Sequence, residues 1–452
     1  MRIRVVNSKV IAKENRFDGS FHNAEANIYD SVIRNHSEHN LSYYCSSIFT
    51  SGRNKRAYTT KQYGFPFLSN SDAASAYPFS SCKFNSMKYG YDETAVLRKG
   101  MILTGRVGAI GQTTIVPESW ESKKAMGSDN IIRIDVKPEY KNGFIYAYLA
   151  SRMGNLSFWK HATGGVQPFI TDVMVGNLPI PSFPDDMTNK VNDLIAKSLN
   201  MRDLALGYFE SAISLFESEF IVSKYQQNSK YETGVISSSC IRDKFVRFDS
   251  QYQLGKKELS KEAKGYNSIK IGRIASKIFV GNRGKRYYVK EGIPFLSSSD
   301  MMLFNPVKYS TPISSKAPNL DGLLVHTDDI LISRSGTIGN TVIVSDTLNG
   351  KAVSEHALRL VIDPDKIDPK YVFCYLNTAH GKRVLESLAY GSVIITLGEE
   401  FVANIDLPLL SKEAQDTISA KIKQYSSLLD EATRLENEAV SLVEAEIEKW
   451  NN

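Results

Sequence analysis

An arginine followed by two glycines at a fixed spacing occurs twice in the sequence. Residues 106–111 read Arg-Val-Gly-Ala-Ile-Gly, and residues 334–339 read Arg-Ser-Gly-Thr-Ile-Gly. The arginine offers planar, bidentate hydrogen-bond donors, and the glycines let the backbone turn tightly and approach a partner. A phosphate-cradling nucleotide loop is disfavoured, because the Lys-Ser/Thr ending is absent and a strand pattern follows each copy. From the residues alone, the alternative is a β-turn between two strands.

Basic residues also cluster without any acid in two stretches. Residues 39–71 contain Arg53, Lys55, Arg56 and Lys61, and residues 263–290 contain a denser set of lysines and arginines, both interleaved with tyrosine. Lysine and arginine can neutralise phosphates, and tyrosine stacks well on planar groups. The two tracts therefore favour contact with nucleic acid, with a solvated basic face as the alternative. The net charge of +6 over 452 residues is only a weak pointer to a polyanionic partner.

These motifs belong to a duplication. The run Gly-Phe-Pro-Phe-Leu-Ser-Asn-Ser-Asp at residues 64–72 returns 228 residues later, at 292–300, as Gly-Ile-Pro-Phe-Leu-Ser-Ser-Ser-Asp. The arginine–glycine motif recurs at the same offset, and Arg-Phe-Asp opens both copies at 16–18 and 247–249. A period of this length is far too long for a solenoid repeat. The sequence therefore predicts a duplicated domain with two similar binding surfaces on one polypeptide.

Each copy is predicted to be a mixed α/β globule followed by a long helix. Residues 131–134 and 357–362 have strand composition, and 142–153 and 369–379 have the spacing of short amphipathic helices. The long helices begin near Asp185 and Ser411, and about 40 residues at ~1.5 Å each would make them roughly 60 Å long. Their apolar stripes favour an antiparallel coiled coil; the alternative is two helices that each lie on their own globule. The fold class is therefore α+β, with domains at 1–183, 184–226, 227–410 and 411–452.

Other classes of protein are disfavoured. The four cysteines are scattered and form no Cys-x-x-Cys pair, which suits a reducing compartment and argues against structural zinc. His36, His39 and Cys45 form the one metal-like cluster, but it lacks a fourth ligand of convincing spacing. No signal sequence or membrane-length apolar run occurs, so we expect a cytoplasmic protein that does not contact a membrane.

Motifs for catalysis are poor. The sequence has no Asn/Asp-Pro-Pro-aromatic tetrapeptide and no glycine-rich methyl-donor loop, which disfavours a self-contained DNA methyltransferase. Asp129 with Asp135 and Lys137 is a weak match to a metal-dependent nuclease, and the second copy, at 363–365, lacks the lysine. We therefore predict a reader without catalytic residues, metal or cofactor.

The order and duplication of these motifs resemble the specificity subunit of type I restriction–modification enzymes. Residues 164–170, Gly-Gly-Val-Gln-Pro-Phe-Ile, are similar to that family's closing segment, and Gln415 is similar to its helix start. The resemblance covers essentially the whole chain. It implies two target-recognition domains that each read one half of a split site in double-stranded DNA. It also implies helices that set the gap and dock two modification (methyltransferase) subunits, with a restriction subunit as a further partner.

The copies also depart from the family pattern. The second closing segment, at 391–396, lacks the glutamine found at Gln167, and no glutamine lies near Asp185 and Asp186 at the start of the first long helix. A specificity-like subunit of another methylation-based defence system therefore stays open. So do a scaffold that gathers partner proteins without reading DNA and a self-contained nuclease or methyltransferase.

The candidate DNA contacts follow from the tracts and motifs. In the first domain they are Arg53, Lys55, Arg56, Lys61, Asn70, Arg106 and Gln167, with Lys123 and Lys124 in second rank. Their counterparts in the second domain are Arg283, Lys285, Arg286, Lys290, Ser298 and Arg334. For each lone basic residue the alternative is a solubilising surface charge.

Overall fold

The fold was analysed in a computed structural model of the chain. It describes residues 5–451 apart from 15, 18, 23–24, 54, 221–234, 236, 239–246, 254, 256–258, 260–262, 264, 336–337 and 392–394. Three sequence motifs are therefore only partly described. Outside the described residues lie Asp18 of the first Arg-Phe-Asp motif, residues 336–337 of the second arginine–glycine motif and residues 392–394 of the second closing segment. The chain forms two compact units, unit 1 (Met1–Asp203 with Glu431–Asn452) and unit 2 (Leu204–Asp430).

Unit 1 is a mixed α/β body. Its strands are β1 (His39–Asn40), β2 (Cys45–Thr50), β3 (Tyr58–Thr59), β4 (Gly64–Leu68), β5 (Lys83–Ser86), β6 (Ile102–Gly105), β7 (Thr113–Ile115), β8 (Met126–Gly127), β9 (Ile131–Val136) and β10 (Pro179–Ile180). Its helices are α1 (Ser8–Glu14), α2 (Gly19–His22), α3 (Asn27–Asn35), α4 (Leu41–Tyr44), α5 (Asn70–Ala74), α6 (Glu118–Ser122), α7 (Asn142–Ala150), α8 (Arg152–His161) and α9 (Asp172–Gly176).

Two four-stranded sheets position the candidate residues of unit 1. The first has the order β2-β9-β6-β7 and is antiparallel throughout. The second has the order β3-β5-β4-β8, in which β4 and β8 run parallel. A short parallel pair needs a long crossover connection, and here residues 69–125 provide it. The strand prediction at 131–134 is confirmed by β9, whose isoleucines are buried.

Unit 2 repeats this arrangement. Its strands are β11 (Ser268–Lys270), β12 (Ala275–Val280), β13 (Tyr288–Leu296), β14 (Thr311–Ile313), β15 (Ile330–Ser333), β16 (Thr341–Ile343), β17 (Ala352–Val353), β18 (Ala357–Ile362) and β19 (Asp406–Pro408). They form sheets of order β12-β18-β15-β16, β14-β13-β17 and β11-β19. The long strand β13 pairs antiparallel with β14 and parallel with β17, as β4 does with β5 and β8. The mixed α/β class predicted for both copies is confirmed.

The helices of unit 2 fill equivalent places. They are α11 (Ile271–Ile274), α12 (Pro369–Asn377), α13 (Ala379–Leu388) and α14 (Glu399–Ala403). The helices predicted at 142–153 and 369–379 correspond to α7 and α12. Their description as amphipathic is wrong for α7, because every residue from Gly143 to Ala150 is buried. A helix that is apolar on all sides belongs inside a core, and α7 contributes to the largest apolar cluster of unit 1.

Two long helices, α10 (Asp185–Glu219) and α15 (Lys412–Asn451), each contribute to both units. In unit 1, Val191 and Ile195 of α10 belong to the same buried cluster as Ala439 and Val443 of α15. In unit 2, the Phe209 ring of α10 lies 5.3 Å from the Tyr425 ring of α15. Both long helices predicted from the apolar spacing are therefore present, and Ser411 caps α15 by accepting from the Ala414 N–H at 3.2 Å.

Carboxylates on the long helices fasten each globule at equivalent points. In unit 1, Asp203 of α10 accepts from the Ser119 hydroxyl at 2.5 Å, and Glu444 of α15 accepts from the Arg152 N–H at the start of α8. Equivalent contacts in unit 2 join Asp430 of α15 to the Ser345 hydroxyl at 2.6 Å and Glu217 of α10 to the Ala379 N–H at the start of α13. Asp203 corresponds to Asp430 and Glu217 corresponds to Glu444, so the two helices align at a constant offset of 227 residues.

None of the helices in the described ranges combines the length and the apolar character that crossing a membrane requires.

Candidate nucleic-acid interface

Three sequence motifs of unit 1 meet at one short loop, residues 128–130, here called hub loop 1. The Ser128 N–H donates to the Leu68 carbonyl at 2.9 Å, which ties the loop to the end of β4. The Asn130 carbonyl accepts from the Arg106 N–H at 2.8 Å, which ties it to the arginine–glycine motif. Between them, the Asp129 carboxylate accepts from Arg56 of the basic tract at 2.7 Å.

Unit 2 builds the same junction at residues 354–356, hub loop 2. The Ser354 N–H donates to the Leu296 carbonyl at 2.9 Å, and the His356 carbonyl accepts from the Arg334 N–H at 3.0 Å. The Glu355 carboxylate accepts from Arg286 at 2.8 Å. Both junctions therefore bring together the basic tract, the Pro-Phe-Leu-Ser strand and the arginine–glycine motif.

The arginine–glycine motif lies between two antiparallel strands in each unit, and residues 336–337 of the second copy are outside the described residues. In unit 1 it connects β6 to β7, and Gly108 and Gly111 have φ angles of 78° and 74°. These lie in the left-handed region that glycine adopts without steric penalty, and Gly339 in unit 2 has the same conformation at 84°. In unit 1 the β-turn interpretation of the motif is therefore confirmed, and the strand pattern that disfavours a nucleotide loop corresponds to β7 and β16.

The closing segment packs directly on this turn. In unit 1 the Ile170 N–H donates to the Arg106 carbonyl at 2.9 Å, and Phe169 pairs with Val107 across an isolated bridge. In unit 2 the Leu397 N–H donates to the Arg334 carbonyl at 3.0 Å, and Arg334 also donates to the Thr396 hydroxyl at 3.3 Å. The arginine that begins each motif is therefore hydrogen-bonded through its backbone both to a hub loop and to a closing segment.

The Ser-x-Ser-Asp motif begins a helical turn in each unit. Ser69 and Asp72 form a reciprocal capping box at the start of α5, and Ser297 with Asp300 makes the corresponding bonds in unit 2. These side chains are occupied in holding the backbone, as expected for a serine and an acid at those positions. The residue between them differs: Asn70 donates to the Val107 carbonyl at 3.2 Å, whereas unit 2 has the half-buried Ser298.

The basic candidates divide into held and extended side chains. The Arg56 guanidinium lies 5.7 Å from the Phe67 ring centroid, and that of Arg286 lies 5.1 Å from the Phe295 ring centroid, so each is held by an acid and an aromatic face. Another arginine of each tract extends into solvent: the side chain of Arg53 is 96% exposed and that of Arg283 is 79% exposed. The remaining exposed candidates are Lys55, Lys61, Gln167, Lys285 and Lys290.

The two second-rank lysines, Lys123 and Lys124, directly follow α6. The ammonium group of Lys123 lies 5.3 Å from the Phe79 ring centroid, and that of Lys124 lies 5.6 Å from the Phe65 ring centroid. Gln167 lies in the exposed stretch 164–167 of the closing segment, where Gly164 has a φ angle of 99°.

A buried arginine supports each hub loop from inside the core. Arg133 of β9 is fully buried and donates to the carbonyls of Gly127 and Ser128 at 2.6 and 3.4 Å. Its counterpart Arg359 of β18 is equally buried and donates to the Val353 carbonyl at 2.6 Å. Burial lowers the pKa of both guanidinium groups to about 10, so both stay charged at neutral pH.

Electrostatics at hub loop 2 favour the ionised form of Glu355. Burial opposes ionisation of Glu355, but its own backbone N–H and the charges of Arg286 and His356 hold its pKa below the usual value. The Ser335 hydroxyl and the His356 Nδ1 are hydrogen-bond partners at 2.8 Å, which joins the second turn to the hub loop by side chains as well as backbone.

The sequence analysis missed two groups of residues at these junctions, namely the acids Asp129 and Glu355 and the buried Arg133 and Arg359. The tyrosines that it noted in the basic tracts include Tyr58, Tyr63, Tyr287 and Tyr288, which are exposed, as is Tyr89. Asp129 was noticed only as a nuclease candidate. The signal that was available is the repetition of an acid directly after the serine of each hub loop, at Ser128-Asp129 and Ser354-Glu355.

The residues proposed for a nuclease do not converge. Asp129 precedes β9 and pairs with Arg56, whereas Asp135 near the other end of β9 pairs with Arg98 at 3.4 Å. Lys137 donates to the Tyr43 carbonyl at 2.7 Å. Within the part of the chain that the structure describes, no group of three or more His, Cys, Asp or Glu residues is arranged to hold a metal ion.

Residues 256–441 match the family model of the type I restriction modification DNA specificity domain. The match covers less than half of the chain. It confirms the resemblance inferred from the repeated motifs, and the specificity domain contains the second basic tract, the second arginine–glycine turn and hub loop 2. A comparison with curated proteins gave no match.

Two solved structures are among those similar to the chain over most of its length. One is the type I restriction–modification S subunit from M. genitalium, with 13% identity, coverage of 91% of this chain and 94% of that chain, and a TM-score of 0.34. The other is the HsdS subunit from Thermoanaerobacter tengcongensis, with 16% identity, coverage of 90% and 94%, and a TM-score of 0.29. At these TM-scores the similarities add no argument about function.

Proposed function

We propose that this chain is the DNA-reading specificity subunit of a type I restriction–modification complex. The observation that carries the proposal is the duplicated junction, in which a basic tract, an arginine–glycine turn and a closing segment meet at a hub loop in each unit. The chain is a non-catalytic, cytoplasmic subunit that needs no cofactor or metal. Its partners are double-stranded DNA, two modification subunits and a restriction subunit.

The residue types at the junctions suit duplex DNA. Exposed guanidinium and ammonium groups neutralise phosphates, and a guanidinium held by an acid and an aromatic ring has a fixed orientation for bidentate contact with a base edge. Arg53 and Arg283 are exposed enough to reach phosphates, whereas Arg56 and Arg286 are held. Each junction therefore carries both the positioning and the specifying kind of contact.

Two reading domains and two long helices fit a bipartite site. The contacts of α10 with α15 support an antiparallel coiled coil: the Ser198 hydroxyl meets the Ala432 carbonyl at 2.7 Å in unit 1, and Phe209 meets Tyr425 in unit 2. Residue numbers rise along one helix as they fall along the other. Such a pair is stiff, so it sets the gap between the half-sites and offers equivalent docking surfaces to two modification subunits.

A selection from random duplex DNA tests the proposal. The chain is co-purified with the neighbouring methyltransferase, and the complex is used to select bound duplexes. We expect a consensus of two short blocks separated by a gap of fixed length, because two domains read DNA at a set distance. An uninterrupted consensus would contradict the spacing role of the helices. No consensus at all would favour the scaffold, and activity of the purified chain alone with Mg²⁺ or a methyl donor would favour the enzyme.

Replacing the arginine of either turn tests base reading. We expect Arg106→Ala and Arg334→Ala each to weaken binding to the selected duplex about tenfold or more, with a smaller loss on random duplex, because one base contact is worth ~1–3 kcal/mol. Filter binding or fluorescence anisotropy at one salt concentration measures both. Arg98→Ala is the matched control, since Arg98 pairs with Asp135 away from the junction. Equal losses on both duplexes would remove the base-reading role.

A further inference from the structure

Each candidate DNA-binding junction contains a carboxylate, although a carboxylate repels DNA. Asp129 and Glu355 occupy equivalent places, and the side chain of each is about one-fifth exposed. Both accept from the held arginine of the basic tract, at 2.7 and 2.8 Å. An acid at this point weakens the attraction for phosphate that the surrounding basic residues create. Its presence in both units needs a physical reason.

The acids fix the orientation of the held arginines. Arg286 is 14% exposed and donates to Glu355 and to the carbonyls of Asn282 and Gly284, with the Phe295 ring against its guanidinium. Arg56 has the corresponding acid and ring, and is about half exposed. A guanidinium has five N–H donors in a rigid plane, so the donors that its protein partners do not occupy keep a fixed direction toward a ligand. Arg56 leaves more of its guanidinium exposed than Arg286 does.

The same acids also reach the extended arginines. The Arg53 Nε lies 4.0 Å from an oxygen of Asp129, and the Arg283 Nε lies 3.8 Å from an oxygen of Glu355. Each carboxylate therefore has one close and one distant guanidinium. The hub loop that carries the acid is bonded through its backbone to the arginine–glycine turn, so the orientation of the arginine pair is coupled to the position of Arg106 or Arg334.

We propose that Asp129 and Glu355 are positioning residues for sequence readout. Each holds the close arginine, Arg56 or Arg286, toward a base edge and limits indiscriminate phosphate binding by the exposed arginine, Arg53 or Arg283. The inference rests on the proposed function, because it assigns a role within DNA reading. It makes each acid a determinant of specificity for one half-site. Asp129 acts on the half read by unit 1, and Glu355 acts on the half read by unit 2.

A positioning acid and an acid that only fastens the loop predict opposite changes in the affinity for random duplex when the negative charge is removed. Removing the negative charge frees two guanidinium groups, which then contact phosphates and release counterions. Binding to random duplex therefore becomes tighter while the preference for the selected site falls. An acid that only fastened the loop would, on removal, weaken binding to both duplexes together.

The test uses Asp129→Asn and Glu355→Gln in the complex of the full chain with the methyltransferase. We expect each to tighten binding to random duplex about threefold and to lower the ratio of specific to random affinity about tenfold, with a salt slope steeper by about one unit. In a selection from random duplexes, each variant should weaken the sequence preference in one block of the DNA consensus only. The two variants should affect different blocks. Asp129→Glu, which keeps the charge, should restore most of the preference.

Two controls remove the same charge elsewhere. Asp135→Asn in unit 1 and Asp406→Asn in unit 2 each neutralise an acid paired with a surface cation, Arg98 and Lys270 respectively. We expect them to leave the affinity ratio unchanged. A parallel loss on both duplexes in Asp129→Asn and Glu355→Gln, or no change in either, would overturn the inference. A wild-type complex that selects no consensus would instead remove the proposed function, so the two failures are distinguishable.

Discussion

Replacing Arg133 with methionine is expected to destabilise unit 1 by about 4 kcal/mol, because several buried carbonyls lose a charged donor at once. The Arg133 guanidinium donates to the carbonyls of Ala95, Gly127, Ser128 and Ile131 at 2.6–3.4 Å. The side chain is fully buried, so water cannot replace these bonds. Methionine fills a similar volume and offers no donor, which isolates the loss of hydrogen bonding from the loss of packing.

The expected loss of stability depends on Arg133 being protonated. Burial lowers the pKa of Arg133 to about 10, so the group remains protonated at pH 7 and its bonds are charge-assisted. Hydrogen exchange of β6 and β9 amides measures the free energy of opening in unit 1 without requiring the whole chain to unfold in one step. Arg98→Met is the control: Arg98 is half exposed with one ion pair, so its loss should be under about 1 kcal/mol.

Arg133→Met also tests whether the buried arginine is needed for DNA recognition by unit 1. One of the four carbonyls, that of Ser128, belongs to hub loop 1, and that of Gly127 directly precedes it, so the loop should lose its fixed position in Arg133→Met. We expect the selected DNA block assigned to unit 1 to weaken while the other block is retained. Arg359→Met should do the reverse, because Arg359 holds Val353 next to hub loop 2. A variant of unchanged stability would show that the carbonyls find other donors.

Local patterns in the sequence predicted the elements of this fold well. Glycine spacing predicted the turn at 106–111, and Gly108 and Gly111 have the left-handed conformation that the turn requires. Apolar spacing predicted both long helices, and the acids at Asp185 and Asp186 lie in the first turn of α10. Each of these features is set by residues close together in the chain, where propensity and periodicity act directly.

The junctions were not predictable in the same way. Asp129 meets Arg56 only because β4 and β8 pair in parallel across a crossover of more than fifty residues, with Phe67 opposite Met126. Arg133 stands between isoleucines in β9, and a charged residue there reads as the solvent face of a strand. It is buried because the second sheet and its loops cover that face, a tertiary effect that no local pattern encodes.

A buried polar cluster distinguishes the helix contacts of unit 1. Arg202 of α10 is 8% exposed and Glu436 of α15 is 2% exposed. Burial lowers the pKa of Arg202, while electrostatic interactions with Tyr146 and Glu436 oppose that shift. Opposite charges buried at such a site interact strongly but gain little over a well-packed apolar replacement, because both charges lose their hydration.

Unit 2 contains the apolar replacement. At the helix offset of 227 residues, Arg202 corresponds to Leu429 and Glu436 corresponds to Phe209. At the same offset Tyr146 corresponds to Phe373, whose ring lies 6.1 Å from that of Phe209. One duplicated position therefore carries a charged pair with a phenol in unit 1 and three apolar side chains in unit 2.

We expect Arg202→Leu alone to destabilise unit 1 by about 3–5 kcal/mol, because Glu436 would remain buried without its cation. Copying the unit 2 set, with Arg202→Leu, Glu436→Phe and Tyr146→Phe together, should return the stability to within about 1.5 kcal/mol of the original. Hydrogen exchange in α10 and α15 measures both. The control is Arg434→Leu, an exposed residue of α15 paired with Glu431, for which under about 1 kcal/mol is expected.

The recovery of the triple variant decides what the charged cluster does. Recovery of stability with a single conformation would mean that apolar side chains can replace Arg202 and Glu436. Charged and apolar side chains would then both be tolerated at this contact between the helices. Recovery of stability with loss of a single helix register would mean that the charges specify alignment, since a buried polar pair accepts fewer registers than an apolar one. Crosslinking between cysteines placed on α10 and α15 in unit 1 separates the two outcomes. If the triple variant is as unstable as Arg202→Leu, the strong coupling between Arg202 and Glu436 is excluded.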